Sequence, residues 1–203
     1  MHNRVDQWLD TVSSPRFPWE QVDRAINTAI DTTVNDRYYP YDPRERERAF
    51  QTVQRIRDEL YTLIKTAPAI PVSGTDLIPL AGVPDYRFLL SLTVYIDNAP
   101  YPTEPTTYDE SESEIILDPY KRPHTDYPSL VLRNETKEGI RINWGQVGIL
   151  TGGILTYLKN PEIVNFQNQT NCDLPVNLHE EICKMASEIL KSQSINLVAQ
   201  RQG

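Results

Sequence analysis

The stretch CDLPVNLHEEICKM, residues 172–185, concentrates residue types capable of chemistry more than any other part of the sequence. It contains both cysteines of the chain and one of its three histidines. His179 and Cys183 are four residues apart, a spacing that places two side chains on one face of a helix. Such a pair could supply two ligands of a metal site, or a histidine that activates a cysteine nucleophile.

Both chemical interpretations lack the further groups that they require. A structural zinc site needs four ligands, but the other histidines are isolated at positions 2 and 124. HEEIC also lacks the second histidine of the zinc-protease motif. No third group that would orient His179, and no oxyanion donor, can be assigned. We therefore predict no catalytic residue, no cofactor and no metal ligand.

The same residues are explained by a C-terminal helix. Leu178, Ile182, Met185 and Ile189 recur at helical spacing, and Ala186 and Leu190 widen this apolar face. Asp173 is a suitable N-cap, and Pro175 fits the first turn, where its missing N–H costs nothing. The pattern predicts a helix and tail over residues 172–203, packed on a sheet.

Charge is distributed unevenly along the chain. Residues 97–126 carry eight acidic side chains against Lys121 and Arg122, a local charge of −6 out of a net −8. DESESE within this stretch lacks the spacing and the glycine of an EF-hand loop, which favours a solvated acidic loop. The RERER run at 44–48 is either a solvated helix face with alternating charges or an interface, where arginine is enriched.

Length and composition exclude several classes of protein. The chain has 203 residues and a net charge of −8, which argues against duplex DNA binding by phosphate neutralisation. Two cysteines make no disulfide framework. The N-terminus lacks the apolar core of a signal peptide, and FLLSLTVYI at 88–96 is far shorter than a membrane helix. These features predict a soluble intracellular product.

Hydrophobic periodicity predicts an α+β fold. Helices are expected at 3–13, at 19–35 and at 43–66, the last being long, with Phe50, Val53, Ile56, Leu60 and Ile64 as its buried stripe. Strands are expected near 76–80 and 86–97, and in YPSLVLRN, GIRINWGQ and GGILTYLKNP, forming a small antiparallel sheet. The glycines of GQVGILTGG, residues 145–153, are expected at turns or bulges.

These elements suggest three parts within one folded unit. An N-terminal helical part spans 1–67, a β-rich body spans 68–171, and a C-terminal helix and tail span 172–203. The body contains a long proline-rich and acidic excursion at 98–128. A loop of this length within a compact domain is usually functional or disordered.

Three phrases resemble neck proteins of crAss-like and related tailed bacteriophages, also described as head-to-tail adaptors, connectors or ring proteins. They are IILDPYKRPHTDYPSLVL, GILTYLKNPEIVNF and NCDLPVNLHEEICKMASEILKSQSI, and the resemblance covers roughly residues 76–195. It implies a non-enzymatic virion protein, made in the host cytoplasm. It would be one subunit of a homo-oligomeric ring of about twelve copies. Its partners would be the portal and the neighbouring neck or tail rings.

The resemblance also implies roles for the charged segments. Duplex DNA would pass through such a ring without sequence-specific binding, and an acidic wall would repel its phosphates. On this interpretation Asp109, Glu110, Glu112 and Glu114 line the DNA channel or dock on the next ring. The arginines of the charged run would pair with acids of a neighbouring subunit; they are Arg44, Arg46 and Arg48.

Two other classes stay open. One is a small soluble enzyme, such as a hydrolase that uses the His179 region. The other is a virion or host-interaction module outside the neck.

Overall fold

The fold is α+β, as predicted. The computed structural model describes residues 1–9, 17–38, 58–69, 77–106, 128–132, 139–143 and 148–201. Its contacts divide the chain into a helical unit, formed by 1–63 together with 161–203, and a β-rich unit formed by 64–160. The N-terminal and C-terminal helical segments thus belong to one unit, although more than 90 residues separate them in the sequence.

Three helices organise the described part of the helical unit: α1 (His2–Trp8), α2 (Trp19–Tyr38) and α3 (Val176–Arg201). The predicted apolar face of α2 is buried in full, from Val22 to Val34. On α3, Leu178, Ile182, Ala186 and Leu190 are buried, whereas the predicted stripe members Met185 and Ile189 are only half-buried. The helix α3 contacts α1 and α2, where we expected a sheet as its partner.

The prediction of a helix over 43–66 was wrong at its C-terminal end. Asp58 and Glu59 are helical, but Tyr61–Leu63 form a 3-10 turn and Ile64–Ala69 form a strand. Leu60, which belongs to the predicted buried stripe, is buried, and so is Leu63. Pro68 disfavours the helical conformation at the preceding residue, and pairing with another strand supplies the backbone bonds instead. Residues 43–57 lie outside the described residues.

The described residues of the β-rich unit form two four-stranded sheets, where we expected one. The first has the order β1-β8-β3-β4 and is antiparallel throughout. The second has the order β2-β7-β6-β5 and includes one parallel pair, β5 with β6. The strands are β1 (Ile64–Ala69), β2 (Leu77–Pro79), β3 (Tyr86–Ile96), β4 (Ala99–Pro102), β5 (Glu104–Thr106), β6 (Ser129–Leu132), β7 (Gly139–Asn143) and β8 (Leu150–Lys159).

The two sheets pack face to face around one apolar core. The first sheet contributes Leu92, Val94, Ile96, Leu155 and Tyr157 among others, and the second contributes Ile78, Ile140 and Ile142. All of these side chains are at most 4% exposed. The unit is therefore a β-sandwich, in which the alternation of side chains along each strand gives every sheet one inner and one outer face.

Two strands lie where the sequence predicted the excursion 98–128. The strand β4 follows β3 through a two-residue turn, Asp97-Asn98, in which both residues have positive φ, 50° and 68°. A two-residue hairpin turn whose twist matches that of the flanking strands requires positive φ at both residues. Parallel pairing of β5 with β6 requires the chain to return before it enters the second strand. A long connection between them, 107–128, meets that requirement.

Two glycines of the 145–153 stretch occupy positions where a side chain would not fit, for different structural reasons. Gly148 has φ +93°, and a Cβ there would lie 2.6 Å from a carboxylate oxygen of Asp97. Gly153 lies within β8, and a Cβ there would lie 2.5 Å from the Thr93 carbonyl oxygen. The turn prediction is confirmed at Gly148, whereas Gly153 permits close approach of two strands. A bulge does occur nearby, between Tyr95 and Ile96 in the pairing of β3 with β8.

Proline marks the edges of both sheets. Among the described strands, each edge strand contains proline: Pro68 in β1, Pro100 and Pro102 in β4, Pro79 in β2 and Pro105 in β5. The inner strands β3, β6, β7 and β8 contain none. Proline cannot donate to a ladder, so it blocks pairing of an edge with a strand of another chain.

Candidate functional site

The loop 161–173 joins the β-rich unit to α3. Its backbone groups form hydrogen bonds with side chains of α2. The side-chain amide of Asn27 binds Val164 twice: its Oδ1 accepts from the Val164 N–H at 2.8 Å, and its Nδ2 donates to the Val164 carbonyl at 2.9 Å. Val164 itself is 4% exposed. One helical side chain therefore satisfies both backbone groups of a buried loop residue.

A second anchor lies one helical turn before Asn27. The buried carboxylate of Asp23 accepts from the Phe166 N–H at 3.1 Å through Oδ2, and its Oδ1 lies 2.8 Å from Nε2 of His2. Near the start of the loop, the Glu162 N–H donates to Oδ1 of Asp173 at 3.2 Å. The first and last parts of the loop are thereby held to each other and to α2.

The middle of the loop is a short hairpin. Asn165 and Thr170 exchange backbone hydrogen bonds of 3.2 and 3.0 Å, and the Gln169 N–H donates to the Phe166 carbonyl at 3.2 Å. The Asn165 side chain also accepts from the Asn168 N–H at 2.9 Å. Gln169 has φ +55°. These local bonds fix the hairpin tip in one conformation.

This anchored loop holds large apolar side chains in solvent. Ile163 is 74% exposed and Phe166 is 56% exposed, on either side of the buried Val164. Val176, at the start of α3, is 72% exposed. The Phe166 ring is supported by the His2 ring, with centroids 4.9 Å apart. Apolar groups that are already ordered lose little entropy on binding, so this arrangement suits contact with another protein.

A pocket of about 180 Å³ lies beside Phe166, lined by Met1, His2 and Cys172 among others. It brings together a cysteine and a histidine whose Nε2 faces the carboxylate of Asp23, a combination known from cysteine nucleophiles. However, burial raises the pKa of the Cys172 thiol to about 11. At pH 7 only about one thiol in ten thousand would then be ionised, so Cys172 is a poor nucleophile.

The residues of the opening stretch, His179 and Cys183, have structural contacts. Nε2 of His179 lies 2.9 Å from the carbonyl oxygen of Leu174, just before α3. Cys183 is fully buried, its Sγ lies 3.8 Å from the Met1 carbonyl oxygen, and burial raises the pKa of its thiol. Among the residues that the structure describes, no group of three His, Cys, Asp or Glu side chains could hold a metal ion.

The start of α3 differs in detail from the prediction. The helix begins at Val176, so Pro175 rather than Asp173 immediately precedes it. The Asp173 carboxylate accepts from the loop residue Glu162. The residue that we expected to cap the helix therefore anchors the loop instead.

The charged residues predicted at interfaces lie outside the described residues. This applies to Arg44, Arg46 and Arg48 and equally to Asp109, Glu110, Glu112 and Glu114. Their roles stay predictions.

The anchored loop was not found from the sequence. A signal was present, because Asp23 and Asn27 are four residues apart and interrupt the flank of the apolar face of α2. Paired polar side chains next to a buried stripe indicate that a backbone segment packs there. What the sequence does not identify is that segment, which lies more than 130 residues away.

Comparisons with protein-family models and with curated proteins returned no match for this chain. In the described part of the chain, no helix is both long and apolar enough to span a membrane. The resemblance to phage neck proteins is therefore carried by the quoted phrases alone.

Proposed function

We propose that this protein is a non-enzymatic structural subunit of a ring in the neck of a tailed bacteriophage, between the portal and the tail. The phage assignment rests on the resemblance of the phrases around β6, β8 and α3. The general role, docking on other proteins, rests on the anchored loop 161–173. Its exposed Ile163 and Phe166 are the observation that carries the proposal.

The way the loop is built supports docking rather than catalysis. The polar side chains that anchor it, Asp23 and Asn27 of α2 and Asp173 of the loop, accept from or donate to loop backbone groups and so position the chain. The exposed side chains of the loop include the aliphatic Ile163 and the aromatic Phe166, next to polar ones such as Gln167. Aromatic anchors in ordered surroundings contribute most of the binding energy in protein interfaces. In this proposal the loop packs on the portal.

The proline-marked edges are compatible with this role. A ring subunit must meet defined neighbours and avoid open-ended strand addition, which produces fibres or aggregates. The acidic stretch adds a second feature that suits a DNA conduit. Repeated around a ring of about twelve copies, its charge would form a band that repels phosphates.

Substitution of Phe166 tests the proposal. Phe166→Asp places a charge at the centre of the apolar loop, and Gln167→Asp, at the next exposed position, is the matched control. Both variants should keep the circular dichroism spectrum of the unchanged protein. We expect Phe166→Asp to lose binding to purified portal, whereas Gln167→Asp retains it. Binding of both variants with equal affinity would refute the docking role of the loop, and failure of the unchanged protein to bind would refute the neck assignment.

A further inference from the structure

The pocket beside Phe166 has properties that go beyond those of an exposed apolar loop. It lies within the helical unit, between the start of α1 and the loop 161–173, and its volume is about 180 Å³. Val164, which is 4% exposed, forms part of its inner wall, whereas the lining residues Gln169 and Asn171 are exposed. The pocket therefore opens to solvent next to the exposed Phe166 ring.

Hydrogen bonds fix the walls of this pocket on several sides. Asn27 holds the Val164 backbone through two bonds, and the carboxylate of Asp23 binds both the His2 ring and the Phe166 N–H. The two rings of the wall, His2 and Phe166, lie with centroids 4.9 Å apart and planes inclined at 47°. Because these walls are already ordered, a group that fills the pocket has little further structure to order.

The lining favours an uncharged group. No Asp, Glu, Lys or Arg side chain is among the described residues that line the pocket. The Nε2 atom of His2 is engaged by the Asp23 carboxylate, and the Cys172 thiol is neutral at pH 7 because burial raises its pKa to about 11. A charged group that entered would lose water without gaining a side chain of opposite charge, which is costly. The Phe166 ring and the Val164 side chain instead offer apolar contact.

The volume and the walls indicate an aromatic ring. An apolar cavity of about 150 Å³ holds one benzene molecule. This pocket, at about 180 Å³, leaves room for the carbon that joins such a ring to a backbone. A methyl or isopropyl group would leave part of the pocket unfilled and forfeit contacts with its walls. The Phe166 and His2 rings also offer aromatic partners, and aromatic pairs attract each other beyond the area that they bury.

We infer that this pocket receives one phenylalanine or tyrosine side chain of the protein on which the loop 161–173 docks. The inference rests on the proposed function, in which that protein is the portal, and it names the chemistry that is recognised there. Phe166 contacts the partner while a ring of the partner fills the pocket beside it. Paired anchors of this kind are typical of the centre of a protein interface.

Nuclear magnetic resonance titration with p-cresol, the side chain of tyrosine, tests the chemistry of the pocket. We expect saturable shifts of the Phe166, Thr170 and Cys172 amide signals, with a dissociation constant in the millimolar range. Benzoate and benzylammonium, which carry a charge on a ring of similar size, should bind at least tenfold more weakly. Equal or tighter binding of either ion, or no binding of p-cresol, would overturn the inference.

Two substitutions that fill the pocket test its part in docking. Cys172→Leu enlarges a lining side chain, and Asn171→Phe places a ring at an exposed lining position, where it should not disturb folding. Gln167→Phe, exposed in the same loop but outside the lining, is the matched control. Both filled variants should keep the circular dichroism spectrum and bind p-cresol and purified portal at least tenfold more weakly. The control should match the unchanged protein in both assays, and if Cys172→Leu failed to fold, Asn171→Phe would decide.

The inference and the proposed function can fail separately. If the filled variants excluded p-cresol but bound portal like the unchanged protein, the inference would be wrong and the neck function would stand. If the unchanged protein bound p-cresol in the pocket but did not bind portal, the neck assignment would be wrong and the specificity for a ring would stand. If the unchanged protein self-associated and Phe166→Asp abolished this, the ring would come from a second copy, and the portal would be wrong as its source.

Discussion

Asn27 should be one of the most sensitive polar positions of the helical unit. In Asn27→Ala the two hydrogen bonds to Val164, of 2.8 and 2.9 Å, are lost, and the N–H and C=O of this buried residue lose their partner. Each buried backbone group left unsatisfied costs about 1–3 kcal/mol. The loop lies at the surface and can relax to admit water, so the low end of this range applies to both groups.

The helix itself offsets part of this loss. Alanine is more favourable than asparagine within a helix by up to about 0.7 kcal/mol. We therefore expect Asn27→Ala to lower the free energy of unfolding by about 1.3 kcal/mol in urea titrations. Thr28→Ala is the matched control, because Thr28 is exposed and its hydroxyl donates only to the Arg24 carbonyl of the same helix. The control should stay within about 0.5 kcal/mol of the unchanged protein.

Asn27→Asp separates the two hydrogen bonds. A carboxylate retains the acceptor for the Val164 N–H but faces the Val164 carbonyl with a second oxygen. Hydrogen exchange should show the Val164 amide still protected in Asn27→Asp and at least tenfold less protected in Asn27→Ala. If Asn27→Ala unfolded at the same urea concentration as the control and kept the Val164 amide protected, the anchoring role of Asn27 would be refuted.

The remaining predictions concern the β-rich unit and the charged segments. Burial and the Asp85 carboxylate raise the pKa of Tyr157 to about 12, so the folded state holds this proton more tightly than the unfolded state. Stability should fall as pH rises from about 10 to about 12, a loss that unfolding curves of Tyr157→Phe should lack, and equal alkaline slopes would contradict it. Charge reversal of Arg46 and Arg48 should weaken ring assembly while the monomer stays folded, as measured by mass photometry and circular dichroism; normal assembly would place the interface elsewhere. Lysine substitution at Glu110, Glu112 and Glu114 should leave particles assembled but slow DNA release if these acids line the channel. Failure of assembly would instead indicate docking, and normal release from normal particles would refute both roles.

Strong local patterns made much of the fold predictable. The stripe of α2, the alternation in β3 and the apolar period of α3 each depend on neighbours in sequence, and the structure confirms a helix, a strand and a helix there. The strand β1 was missed because Ile64 continues the helical period of the preceding segment. Only pairing with β8, about 90 residues later, makes Ile64–Ala69 extended.

The candidate site depended much more on contacts between distant segments. Ile163, Val164 and Phe166 are all apolar, yet Val164 is buried whereas Ile163 and Phe166 are exposed. The difference arises because Asn27 and Asp23 bind the backbone at 164 and 166 and so determine which side chain points inward. Cys172 and His2 lie near opposite ends of the sequence, and folding brings them together in the lining of one pocket.

The sequence by itself determined the α+β class, the positions of most helices and strands, and the segregation of acidic charge. These follow from side-chain periodicity and from composition, which are local properties. Only the tertiary structure decided that the N-terminal and C-terminal helical segments share one unit, that the described strands form a sandwich with proline at its edges, and that Ile163 and Phe166 are presented to solvent. The physical reason is that strand order, register and backbone anchoring are set by hydrogen bonds between residues far apart in the chain. The propensities of the separate segments do not encode which of them pair.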